Sequence, residues 1–283
     1  MRSLLLDIAS AFNNVYSGWI WWNLFLAFIP LLLSFSLFRP GVVPQGWLRV
    51  AWALTAAIGV VGIWPRLPRV VEGWFNIVGH GGTVTVLRLM WLLVVIGAAT
   101  ALSLLLLKKQ QVDQGWLWWA GVAVFLAFLP NAPYVLTDII HLIRGISSGQ
   151  ILVWVVALVF IPIHAVAILL GFQAYVISIL NLAIYLKRQG ATAWILPVEL
   201  TIHALCAVGI YLGRFLRFNS WDLLVTPTSV VADTLNVLTS RRPAAVMVVT
   251  FVILASLYWA AKQITLGLKL RLRYARQGLD ALD

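Results

Sequence analysis

Two short polar segments hold most of the side chains in this chain that are capable of chemistry. The first is Asn131-Ala132-Pro133-Tyr134-Val135-Leu136-Thr137-Asp138-Ile139-Ile140-His141-Leu142. Proline's fixed φ and missing N–H suit the first turn of a helix, so Pro133 is expected to open a half-helix. On such a helix Tyr134, Asp138 and His141 fall at i, i+4 and i+7, one narrow stripe, while Leu136, Ile140 and Ile143 point elsewhere. Imidazole is the side chain best poised for proton transfer near neutrality, which makes Asp138 and His141 a candidate acid/base pair. The alternative is a satisfied polar network in which Asp138 pairs with Arg214 or Arg217 and locks two helices together.

Those arginines belong to the second segment, Tyr211-Leu212-Gly213-Arg214-Phe215-Leu216-Arg217-Phe218-Asn219-Ser220-Trp221-Asp222. Arg214 and Arg217, at i and i+3, are expected to share a helix face, and a planar guanidinium suits carboxylate or phosphate. Ordinary anchoring at the membrane interface is the plainer reading of the pair. Ser220 can cap a following turn, leaving Asp222 near a helix N-terminus that the dipole alone would favour. The candidate ligand-binding set is therefore Asn131, Tyr134, Asp138, His141, Arg214, Arg217, Asn219 and Asp222. The catalytic candidates are His141, Asp138 and Asp222.

Other titratable groups say less. Glu199 and His203 lie at i and i+4, and His164 is expected to face inward with Gly171, Tyr175 and Ser178. There is no His-Glu-x-x-His spacing, and Cys206 is the single cysteine, so zinc and an intrachain disulfide find no support. Neither a Gly-rich phosphate loop after a strand nor a Gly-x-Ser-x-Gly elbow occurs. No cofactor and no metal are expected. His80 sits among glycines in a loop, where solvation suffices.

The elements that must position these groups are membrane spans. Of 283 residues, 62% are hydrophobic and only 10% charged, with a mean hydropathy of +0.97, so most of the surface must face lipid. Seven apolar stretches approach the ~20 residues needed to cross hydrocarbon. They run over 19–38, 47–64, 84–107, 116–142, 151–186, 192–213 and 243–262. The expectation is a single all-α integral membrane domain over 1–283: a polytopic bundle of about seven spans, its fourth helix broken at Pro130 and Pro133. The fifth stretch is long enough to tilt, protrude or be two segments. Residues 66–82 read as a loop or short interfacial helix. Residues 227–238 read as an amphipathic helix on the membrane surface, with Val231, Leu235 and Leu238 forming its apolar stripe. The leucine alternation over 266–274 reads as a basic interfacial helix rather than a strand. Small residues at helical spacing, Gly209 with Gly213 and Gly97 with Ala101, suit close helix contacts.

The net charge of +11 does not point to nucleic acid, because the basic residues sit singly or in pairs at the ends of apolar runs. That distribution suits anionic headgroups, and tryptophans bracketing several spans suit the interface. Seven spans give two faces: A, with the N-terminus, and B, with the C-terminus. Face A holds nine basic residues and face B eleven, a split that leaves orientation open, although short B loops and a basic tail favour a cytoplasmic B. The ends of the fourth and sixth spans both emerge on A, so the two polar segments can meet there.

The first segment resembles the FPNAPYxxTDxxHL signature of an uncharacterised bacterial multi-pass membrane family, a domain of unknown function. The second resembles its GRFxRxNSWDLLxxP signature, completed by Pro227, and Trp22-Asn23-Leu24-Phe25-Leu26-Ala27 with Pro30 is similar to its first span. The resemblance covers the first span, 19–38, and about 116–227, with 44–82 as an insertion. Members often carry an acid after the histidine loop, where this chain has Gln150 and Trp154. The resemblance implies a bacterial inner-membrane location and no known activity. On the residues themselves, a face-A site binding an anionic group, such as a lipid headgroup, is expected. A lipid-modifying enzyme using His141 and Asp138, a transporter, and a structural or assembly protein are the alternatives. Membrane lipids, anionic ones among them, are the expected partners; the sequence names no protein partner.

Overall fold

A computed structural model describes residues 18–68, 115–147, 152–217 and 240–278, with isolated positions between them. Within these residues the regular structure is helical. Among the described residues, six helical runs are long and apolar enough to cross a membrane. The chain is therefore a multi-pass membrane protein, and the fold is an all-α bundle.

Helix α1, Trp19–Phe38, is the central element and the one most buried, and α2, Gln45–Ile63, returns beside it. Glycine makes that return close. A Cβ on Gly62 would stand 2.6 Å from the Trp22 backbone nitrogen, and one on Gly59 would stand 2.8 Å from the Phe25 ring. Small residues let helix backbones approach where lipid offers no hydrophobic drive between them. The outer face of α2 carries exposed Trp47, Leu54, Val60 and Val61, as a surface facing lipid should.

The fourth stretch is broken, as its prolines dictate. Helix α3, Trp116–Phe128, stops before Pro130; α4, Asn131–Tyr134, follows; a 3-10 turn covers Val135–Asp138; and α5 runs over Ile139–Ser147. The half-helix thus starts at Asn131, with Pro130 as its cap and Pro133 at its third position, rather than at Pro133. Pro130 and Pro133 lack the N–H groups that a continuous ladder would use. The break is held from two sides by small residues. A Cβ on Gly209 would meet the Pro130 ring at 2.9 Å, and one on Gly171 would meet Val135 at 2.9 Å.

The fifth stretch is one helix, not two. Helix α6, Val153–Arg188, is continuous, with a π-helical stretch at Val156–Phe160. Pro162 supplies the cause, because it cannot donate to the carbonyl four residues back. Thirty-six residues span roughly 54 Å at about 1.5 Å per residue, so α6 tilts or protrudes from a core of ~30 Å. It ends in a Schellman motif, Ala191 N–H to the Leu186 carbonyl at 2.9 Å, with Gly190 at φ +76. Helix α7, Ile195–Phe215, then turns back, and α8, Arg241–Arg276, packs along it.

The tail differs from expectation. Residues 266–274 are helical but form no separate interfacial helix; they continue α8, their side chains exposed. Continuous α propagation costs less than nucleating a new helix, and Gly267 stays helical rather than capping α8. The expected span at 84–107, the loop at 66–82 and the surface helix at 227–238 lie largely outside the described residues.

Candidate functional site

The polar residues of α1, the broken helix and α7 meet at end A. Asp138 is buried and accepts from two other helices: Asn23 Nδ2 donates to Oδ2 at 2.7 Å, and Arg214 Nη2 to Oδ1 at 3.1 Å. The side chains of Arg214 and Asp138 are 17% and 3% exposed, so this ion pair is largely out of water. Arg214 Nε also donates to Thr137 Oγ1 at 3.1 Å, and its Nη2 reaches the same oxygen. Thr137 Oγ1 donates in turn to the Tyr134 carbonyl at 2.6 Å. The guanidinium carbon stands 4.5 Å from the centre of the Tyr134 ring, a cation–π contact.

The 3-10 turn creates this arrangement. With about three residues per turn, Tyr134 and Thr137 eclipse, whereas an α-helix would set them about 60° apart. Asp138 therefore follows Thr137 toward Arg214, and the ideal stripe of Tyr134, Asp138 and His141 does not form. His141 stacks on Trp19 of α1, ring centres 6.1 Å apart and planes within 8°. The Asp138 oxygens serve Asn23 and Arg214. Asn131 Nδ2 turns back to the Phe128 carbonyl at 3.0 Å and helps satisfy the broken ladder.

Arg214 and Arg217 do not share a helix face. Helix α7 ends at Phe215, and Arg217 is exposed with φ 60, the left-handed region that a residue with a Cβ rarely adopts. Arg214 is thus built into the clamp while Arg217 projects from it. Asn219 and Asp222 lie outside the described residues. Exposed Arg241 and Arg242 open α8 at the same end.

Two clamp residues escape a search for titratable groups. Thr137 sits inside the first motif, but its role depends on the 3-10 register. Asn23 is a lone amide in an apolar first span, and that was its signal: an amide in such a span needs a polar partner.

A second polar network lies toward end B, between α6, α7 and α8. Glu199 Oε1 accepts from Lys262 Nζ at 2.6 Å and from Tyr258 Oη at 2.7 Å. His203 Nδ1 and Tyr175 Oη are 2.6 Å apart, and the His203 ring lies 4.7 Å from that of Tyr258. Glu199 and His203 are thus absorbed by Lys262 and the tyrosines. Among the described residues no three His, Cys, Asp or Glu side chains converge as a metal site would require. His164 is buried, as are Gly171, Tyr175 and Ser178, and its Nδ1–H donates to the Phe160 carbonyl at 2.9 Å within the π-helical region.

Between the two networks is an apolar layer. Phe125, Leu129, Ala132, Val135 and Ile210 are all buried there and belong to one core. Along α7 alone, Arg214 and His203 are eleven residues, or roughly 16 Å, apart.

Residues 89–256 match the model of a family described as Protein of unknown function (DUF1361). The chain belongs to this family. Asp138, Arg214, Glu199 and His203 of this DUF1361 protein fall within the matched residues, whereas Asn23 lies before them. No curated protein and no solved structure matches the chain.

Proposed function

We propose that this DUF1361 protein binds an anionic group, such as a lipid headgroup phosphate, at end A of its bundle. The observation that carries this reading is the contrast between Arg214 and Arg217. Arg214 is neutralised and immobilised by Asp138, Thr137 and Tyr134, while Arg217 is exposed two residues beyond the helix in a strained conformation. Strained residues persist where surrounding structure holds them, and they concentrate at binding sites. With Arg241 and Arg242 at the same end, the mouth carries an excess of positive charge among its described residues. Headgroups are the anions available at that depth.

The clamp, on this reading, fixes the broken helix to α1 and α7 and so fixes where Arg217 projects. A lipid-modifying reaction through His141 and Asp138 has less support, because Asp138 is committed to Asn23 and Arg214. The apolar run between His203 and Arg214 on α7 gives a transport path less support. The family resemblance supports a bacterial inner-membrane location.

Native mass spectrometry of the full chain released from detergent with phosphatidylglycerol tests the reading. Wild type should retain a phosphatidylglycerol adduct that Arg217→Gln loses while remaining folded. Equal adducts on both would refute it. Arg214→Ala is the wrong probe, since it breaks the clamp as well as removing a cation.

A further inference from the structure

Arg39 closes α1 at end B, one residue beyond the span. Its Nη1 donates to Asn181 Oδ1 at 3.3 Å, a long bond. Asn181 Nδ2 donates to Ser34 Oγ at 2.9 Å, and Ser34 to the Leu31 carbonyl at 2.7 Å. This chain of bonds ties the guanidinium to α1 and α6. It leaves Nε sealed from water with no acceptor. A buried donor on a charged group without a partner is an unfavourable arrangement that calls for a cause.

Arg188 stands seven residues beyond Asn181 on α6, two turns along the same helix face. Burial first, and then the charge of Arg188, hold the Arg39 pKa below the ordinary arginine value. Arg188 is exposed in the last turn of α6, and the Schellman motif at Gly190 fixes where that turn ends. Among the described residues the two ion pairs give no relief: Asp138 and Glu199 pair elsewhere, and neither pair includes Arg39. The helix C-termini of α1 and α6 favour cations, which explains basic residues here. They do not explain a guanidinium with an orphaned nitrogen on the helix face that carries a second arginine.

We propose that Arg39 and Arg188 together bind a phosphate group at end B, carried by an anionic lipid or free in solution. A phosphate between them accepts from both planar forks and turns their repulsion into attraction. To reach it, Arg39 rotates off the long Asn181 bond, which frees Nε to donate. The site is separate from end A by the length of α1, about 30 Å at ~1.5 Å per residue. The two sites can therefore fail independently.

Thermal unfolding and native mass spectrometry of the full chain in neutral detergent test the proposal. The probes are phosphatidylglycerol, phosphatidylcholine and inorganic phosphate, with wild type, Arg188→Gln, Arg39→Lys and Arg217→Gln. Without lipid, Arg188→Gln should be at least as stable as wild type, because it removes the repulsion. It should lose about tenfold in affinity for the anionic probe, and Arg39→Lys, which keeps the charge but not the fork, should lose part of it. Arg217→Gln should retain this binding even if it loses that at end A. An Arg188-dependent shift with inorganic phosphate identifies a free phosphate as sufficient; a shift with phosphatidylglycerol alone identifies the lipid. Equal binding of phosphatidylglycerol and inorganic phosphate by wild type and folded Arg188→Gln would overturn the proposal. So would an equal, Arg188-independent shift with zwitterionic phosphatidylcholine.

Discussion

The polar networks at the two halves of the bundle use similar groups in different ways. At end A, Asp138 and Arg214 meet across a helix whose ladder is broken, and an exposed Arg217 stands next to them. Toward end B, Glu199, Lys262, Tyr258, His203 and Tyr175 join three unbroken helices, and each hydrogen-bonding group has found a partner inside the protein. A pair buried between intact helices adds specificity to packing. A pair placed where the backbone is already interrupted also presents a surface. On the proposed reading, the difference gives binding to one network and helix registry to the other.

That comparison can be broken by mutation. The largest effect should come from Asp138→Ala, which strands the Arg214 guanidinium and the Asn23 amide: about 3–5 kcal/mol of stability, read from thermal unfolding in detergent. A loss below 1 kcal/mol would mean that the clamp is not what holds the broken helix. Glu199→Gln keeps the shape but removes the charge that Lys262 faces. It should cost about 1–3 kcal/mol and leave anionic-lipid binding unchanged. Tyr175→Phe removes one buried hydrogen bond to His203, a loss of about 1 kcal/mol by the same measurement. Arg217→Gln should change stability by no more than about 0.5 kcal/mol, yet alter binding. A Glu199 variant that lost lipid, or an Arg217 variant that unfolded, would reverse the assignment.

The contrast also explains what the sequence made legible. Pro130 and Pro133 interrupt an apolar run, and a broken helix announces itself because prolines and polar residues cluster within a dozen positions. The pairing of Asp138 with an arginine of the sixth span followed from parity: both segments had to emerge at one end. Which groups shared a face did not follow, because the 3-10 turn at Val135–Asp138 shifts register by a fraction of a turn and no local residue dictates it. That shift brought Thr137 in and sent His141 to Trp19. Likewise Arg217 left the face of Arg214 because α7 ends at Phe215, a terminus that no glycine or proline directly follows. The end-B network was illegible for a different reason. Glu199 and Lys262 are 63 residues apart on helices with no irregularity, and each alone reads as a tolerated polar residue near a span end.

Labelling of cysteines placed at Ser147 and Ser240 sharpens the topology on which both networks depend. Both positions should react from the same side of the membrane, since α5 ends and α8 begins at end A. Reaction from opposite sides would break the order of crossings.

The central claim is that end A binds an anion through an arginine that the clamp positions but does not consume. Its most direct test is the thermal shift caused by phosphatidylglycerol in wild type and in Arg217→Gln, in one detergent and with Arg188 intact. The account predicts a rise in unfolding temperature for wild type that shrinks by the end-A share in Arg217→Gln, with no change in the lipid-free value. An identical rise in both proteins would contradict it and leave end A as a structural clamp alone.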